Sequence, residues 1–208
     1  MTDENPLLEQ LLPAEEIANL QRIPRSSVFQ ERIAHSNLMK VKAVAELEKK
    51  FPGNAVALYL AALYHIDFSL AQNLQFIPEH LSQVEDLQSK ILANLALCYF
   101  HAGNFFLARR SADLAEPLSK TAELSAKIRY RRALALNSLT DFDGAAKSAE
   151  DALKLQPQDV KVRELLREIS INRDEAQKKA DDLFRGKLVT AVTPVEKSFY
   201  CCRRRKID

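Results

Sequence analysis

Lys127, Arg129, Arg131 and Arg132 crowd the start of a segment, residues 126–157, that otherwise reads as packed helix. Lys127 and Arg131 are four apart, so a helix stacks them one turn apart on a single face. Arg129 points nearly the opposite way and reads as solvated, and Arg132 is intermediate. Cationic groups in one column repel each other unless an anion meets them. A pair of carboxylates is the natural partner, and each charge-assisted hydrogen bond contributes about 1.5–3 kcal/mol. Other chemistries lack their residues. The histidines His35, His65, His80 and His101 are scattered without the spacing of a metal site or a triad. No nucleophile–base pair, phosphate loop or paired acids can be read, so neither catalytic residues, nor a metal, nor a cofactor is expected.

The elements that hold this column are helical. Of 208 residues 47% are hydrophobic, only 4 are Gly, and Ala, Leu, Glu and Lys are plentiful. No segment alternates like a strand. The formal net charge of +2 is too small to attract nucleic acid in bulk, so any basic chemistry is local. The three cysteines, Cys98, Cys201 and Cys202, suit neither a disulfide framework nor zinc. The acidic start MTDENPLLEQLLP lacks a basic flank and a long apolar run, so neither a signal peptide nor a membrane span is expected. A reducing compartment, cytoplasmic or nuclear, fits best.

Along the chain, residues 1–27 read as a loose, flexible arm with one short amphipathic helix at 13–20. Ser27 and Gln30 resemble a capping box opening a helix over 28–50, which "FPGN" ends. "AVALYLAALYHIDFSLAQNL" reads as the next helix and "FIPEHLSQVEDLQ" as a polar, partly helical connector. Two helix pairs follow, turning at Gly103-Asn104 and at "TDFDG", and a last helix spans about 157–188.

The pairs repeat. Ala96 matches Ala133, Phe105 matches Phe142, Ala108 matches Ala145, and Ala112 and Ala115 match Ala149 and Ala152, each 37 residues on. Small residues sit where the two helices of a pair cross closely. A weaker upstream copy carries Lys40, Ala43 and Leu47, then Ala55, Tyr59 and Ala62. This is the tetratricopeptide-repeat (TPR) pattern of helix-turn-helix units. The expected fold is all-α: three TPR repeats over 28–157, a capping helix over 158–188 and a basic tail over 189–208. Such repeats stack into a right-handed superhelix whose concave groove is lined by the first helix of each pair. In that register Asn94 occupies the place of Arg131, and Lys40 lies one position off. Lys40, Asn94, Lys127 and Arg131 then converge on one concave spot. Cys98, Tyr59, Tyr99 and Phe105 read as core, and Arg109 and Arg110 as solvated.

From "NLALCY" through "AKIRYRRALA" and "DFDGAAKSAEDALKLQPQD" to the charged last helix, residues 30–188 resemble the TPR domain of FK506-binding-protein immunophilins and related co-chaperones. That family's domain binds the C-terminal Glu-Glu-Val-Asp tail of heat-shock protein 90 or 70 through a two-carboxylate clamp. The resemblance implies that Asn94, Lys127 and Arg131 match clamp positions of the second and third repeats, and that Lys40 matches the first-repeat lysine. Val44 stands where the family has a first-repeat Asn, a departure that weakens or redirects binding. The residues upstream are too few for the isomerase domain that precedes the repeats in immunophilins, so the chain reads as an excised domain or as a stand-alone adaptor relative. The implied protein is a non-enzymatic adaptor whose partners are the chaperone tail and a client. The alternative is a TPR scaffold that takes a different peptide or a helix in the same groove, with the clamp degenerate at Val44. In the tail "SFYCCRRRKID", Cys201 and Cys202 beside the basic run read as a lipidated membrane anchor, as a nuclear import signal, or as a solvated end.

Overall fold

The computed structural model describes residues 7–68 and 78–191, with side chains described through residue 185. Two compact units are distinguished, residues 1–172 and 173–208. In the first unit α1 is Ala14–Gln21, α2 Phe29–Glu48, α3 Pro52–His65, α4 Pro78–His101, α5 Phe105–Ala115, α6 Ala122–Ser138 and α7 Phe142–Leu155. A 3-10 turn, Glu116–Leu118, joins α5 to α6, and α8 runs Val160–Ala191 across the unit boundary. No strand occurs among the described residues.

Three antiparallel pairs, α2/α3, α4/α5 and α6/α7, stack through α3 on α4 and α5 on α6, and α4 also meets α6. Alanine makes the close crossings possible. Ala43, Ala55, Ala62, Ala108, Ala112, Ala115, Ala133, Ala145, Ala149 and Ala152 are all fully enclosed. Larger side chains fill the space beside them. Tyr59, Leu63, Ile91, Leu95 and Ile128 form one core with the first two pairs. Leu136 joins Val162, Leu165 and Ile169 of α8 in a second core over the third pair. A stack of hairpins is stabilised in this way, each covering the apolar face of the one before it.

Each pair turns through a residue with left-handed backbone: Lys50 (φ 64), Gly103 (φ 78) and Thr140 (φ 62). Asn104 and Asp141 follow as N-caps, their side chains accepting from the backbone N–H of Leu107 at 3.1 Å and of Gly144 at 3.0 Å. Both caps satisfy a donor that the first helical turn leaves free.

Several local readings differ from the structure. The arm is packed: Leu8, Leu11 and Ile17 are buried, and Arg110 donates to Gln10 at 3.3 Å. Those leucines find an apolar slot against the repeats, which offsets the entropy of ordering them. α2 has no Ser27 cap. Instead Ser26 Oγ accepts from Val28 N at 3.0 Å and donates to Glu31 at 2.5 Å. α3 stops at His65 because buried Arg32 takes its end: Arg32 Nε donates to the His65 carbonyl at 2.7 Å and Nη2 to that of Asp67. The guanidinium also lies 4.0 Å over the Phe68 ring. The polar connector is helical from Pro78 and belongs to α4. In the second unit, Gln177 donates to Asp181 at 2.8 Å, and Leu183 and Phe184 are exposed.

Candidate functional site: a basic column between the repeats

α4 and α6 carry the same device at the same register. Asp86, Lys90 and Asn94 lie at four-residue intervals on α4, and Glu123, Lys127 and Arg131 repeat that spacing on α6, 37 residues on. Four-residue spacing sets each trio in one column along its helix. Lys90 Nζ rests on Asp86 at 2.6 Å and Lys127 Nζ on Glu123 at 2.5 Å. Both ion pairs face solvent, so each contributes little to stability and gives way readily to a competing anion. At the third level the two columns meet: Arg131 Nη1 donates to Asn94 Oδ1 at 3.0 Å.

Arg131 is partly buried, and among the described residues no carboxylate pairs with it. Burial pushes its pKa down from the usual guanidinium range, while Tyr59 and Cys98 beneath it work in the other direction. The Tyr59 hydroxyl, wholly enclosed, is pushed up to about 12, chiefly by burial and secondarily by Cys98, with the Asn94 amide opposing. Burial likewise pushes the Cys98 thiol up to about 11, so it stays a protonated core group. Lys40, on α2, is half-buried. Its pKa is lowered by burial first and then by Lys90, with Asp86 opposing. A desolvated guanidinium and a desolvated ammonium are groups whose charge an incoming carboxylate would stabilise.

The remaining two arginines of the basic segment are structural. Arg129 donates to Glu116 at 2.8 Å and to the Asp151 carbonyl at 3.3 Å, so it is bound rather than solvated. Arg132 pairs with Asp113 at 2.8 Å. They fasten α6 to the neighbouring helices while Lys127 and Arg131 point elsewhere. Arg109 and Arg110 are also engaged, Arg109 with Asp113 at 3.7 Å. Two groove residues escaped the sequence reading. Lys90 stands 37 residues before Lys127, the offset that relates Asn94 to Arg131, so the repeat itself carried the signal. Tyr59 was legible only as core. Val44 is 40% exposed and offers no hydrogen bond, and Val41, which the repeat register aligns with Asn94, is 63% exposed.

Beside the column a cleft of about 490 Å³ is lined by Leu97, Phe100, Tyr130, Leu134, Lys127 and Arg131. His101, Asp159 and Lys161 complete the lining, so the cleft sets one carboxylate among its cationic and apolar side chains. A second hollow, about 570 Å³, is formed by α2 and α3 alone, where Lys49 and Asn54 already occupy Glu46. No group of His, Cys, Asp or Glu among the described residues is arranged to hold a metal ion. No helix among them is long and apolar enough to cross a membrane. Cys201 and Cys202 lie outside the described residues.

No family model matches the sequence, and no curated protein matches it. Solved structures do. The C-terminal TPR-containing domain of a Plasmodium falciparum FK506-binding protein superposes with a TM-score of 0.63 at 18% identity, covering 76% of this chain and 99% of that one. The first TPR domain of the human RPAP3 protein gives 0.55 at 19% identity, covering 69% and 96%. Stacked helical hairpins with alanine crossings define the class, an all-α helical-repeat fold. Within that class the chain has the TPR fold.

Proposed function

We propose that this chain is a non-enzymatic adaptor whose groove binds the C-terminal tail of a partner protein. The tail it suits best is the Glu-Glu-Val-Asp end of a heat-shock chaperone of the 90 or 70 class. The observation that carries this reading is the Arg131–Asn94 hydrogen bond across two repeats, made by a partly buried guanidinium with which no carboxylate among the described residues pairs. Arg131 has further N–H donors in a fixed fork, a geometry suited to a carboxylate. Lys127, one turn back along α6, supplies a second charge once Glu123 is displaced. Lys40 supplies a third from α2, and its lowered pKa is relieved by an anion. The cleft lined by Leu97, Tyr130 and Leu134 beside these charges accepts a small apolar side chain such as the tail's valine. Likeness in fold to a TPR domain of an FK506-binding protein agrees with such a partner. Affinity in the micromolar range, about −8 kcal/mol, is expected for a short tail. Calorimetry with a Glu-Glu-Val-Asp peptide tests this. Loss of heat in the Lys127→Ala/Arg131→Ala variant supports it, and unchanged binding sinks it.

A second reading has its own support. Val41 and Val44 give the first repeat an apolar, exposed groove face instead of an amide. A peptide or helix with an apolar anchor would use it, and such binding would survive high salt and need no free carboxylate.

A further inference from the structure

One cation of the cleft has no counter-charge among the described residues. Lys161, in the first turn of α8, lines the same cleft as Lys127 and Arg131. Its side chain is exposed, and among the described residues no carboxylate pairs with its ammonium. Lys127, by contrast, rests on Glu123 at 2.5 Å. The acid beside Lys161 along the chain, Asp159, is committed to backbone. Its Oδ1 accepts from the N–H of Lys161 at 2.9 Å and of Val162 at 3.4 Å. Asp159 therefore caps α8, and its charge meets the positive end of that helix.

The backbone that carries Lys161 is held on both sides. Val162, 1% exposed, anchors the first turn of α8 in the core over the third pair. Further along, Asn137 Nδ2 donates to Glu168 Oε1 and Asn172 Nδ2 to Asn137 Oδ1, both at 3.2 Å, which ties α8 to α6. The cleft thus draws on three elements: Leu97 and Phe100 come from α4, Lys127, Tyr130 and Arg131 from α6, and Lys161 from α8. Its apolar side chains lie among cations supplied by two different helices.

We propose that Lys161 is a further binding residue of the groove, and that the chain end it selects carries an apolar residue between two acids. Arg131 and Lys127 hold the acid at the terminus, the apolar residue enters the cleft, and Lys161 meets the acid that precedes it. Successive side chains of an extended chain point to opposite sides. The apolar side chain can then face the cleft while its acidic neighbours stay at the rim, within reach of a lysine's long stem. Glu-Val-Asp has this order of residues. A tail with an uncharged residue before the apolar one leaves Lys161 without a partner and is bound less well. This inference rests on the carboxylate-binding reading of the same groove.

Calorimetry on the full chain and on Lys161→Ala, each with free-acid Glu-Glu-Val-Asp and Glu-Gln-Val-Asp peptides, closes a double-mutant cycle. Lys161→Ala is expected to weaken the first peptide about 2–5-fold, the range of an exposed ion pair, and to leave the second unchanged. Lys161→Glu is expected to bind a Glu-Lys-Val-Asp peptide more tightly than the wild type does, and Glu-Glu-Val-Asp more weakly. Both are substitutions of an exposed side chain, so melts are expected to match the wild type. Equal losses on the Glu and Gln peptides, or no loss on either, overturn the role of Lys161. If Lys127→Ala/Arg131→Ala still abolishes binding in that case, the carboxylate-binding groove stands without Lys161. Failure of the wild type to bind any of the peptides overturns both.

Discussion

Arg129 and Arg131 stand two residues apart on one helix and are expected to fail in different assays. The Arg129–Glu116 pair is about one-third exposed on each side, so screening reduces it to about 0.5–1 kcal/mol. The bond from Arg129 to the Asp151 carbonyl adds about as much. Arg129→Ala is therefore expected to cost about 1–2 kcal/mol, a fall in Tm of about 2–6 °C, with tail binding unchanged. Arg131→Ala loses one hydrogen bond, to Asn94, and gains relief from a partly desolvated charge. Its Tm is expected to stay within about 2 °C of the wild type. Its binding is expected to fall about 10–100-fold, the worth of one or two charge-assisted hydrogen bonds at about 1.5–3 kcal/mol each, partly offset by Lys127. Circular-dichroism melts and calorimetry on the same preparations read both quantities. If Arg129→Ala weakened binding as much as Arg131→Ala, the division of this segment into fasteners and ligand contacts would be refuted.

Lys90→Ala is expected to weaken an acidic peptide about 2–5-fold and to flatten the salt dependence of its Kd, since a solvated groove charge is removed; an unchanged salt slope in titrations at two ionic strengths would count against its place in the site. Thr140→Gly is expected to stabilise the fold by about 0.5–1 kcal/mol, because a β-branched residue at φ 62 pays for a left-handed turn that glycine adopts freely, and a lower melting temperature would contradict this. His65 is buried with an unpartnered Nδ1, and burial, then His35, Arg32 and Arg25, lower its pKa. The unfolded chain then binds that proton more tightly, so the contribution of neutral His65 is complete above its ordinary pKa near 6.5 and is lost as pH falls below it. Melting temperature is expected to drop as pH falls below about 6.5, and His65→Gln should flatten that drop.

How much could be read beforehand depended on whether the signal was periodic. The alanines at Ala96/Ala133, Ala108/Ala145 and Ala112/Ala149 recur because each close helix crossing needs a small side chain at the same point, and that recurrence carried the TPR fold. The column of Lys127 and Arg131 was visible for a similar reason, since four-residue spacing on a helix is a statement about direction. Long-range complementarity leaves no such trace. Nothing local in MTDENPLLEQLLP marks Leu8 and Leu11 for burial against the repeats. Arg32 reads as one more helical cation until its guanidinium is seen on the carbonyls that end α3. Arg129 looked solvated because its partner, Glu116, sits in a short turn whose position only the packing decides. Lys90 is within reach of the 37-residue offset and inside the segment that reads as helix, while its partner Asp86 falls in the stretch that reads as connector.

Calorimetry comparing a Glu-Glu-Val-Asp peptide carrying a free C-terminus with the same peptide amidated addresses the groove most directly. Amidation removes one charge and nothing else of size, so only recognition of the terminal carboxylate responds to it. The expected result is a loss of about tenfold or more in affinity on amidation, present in the wild type and absent in Lys127→Ala/Arg131→Ala. Equal affinity for the two peptides would contradict a carboxylate-binding groove and leave the apolar face of the first repeat as the seat of binding.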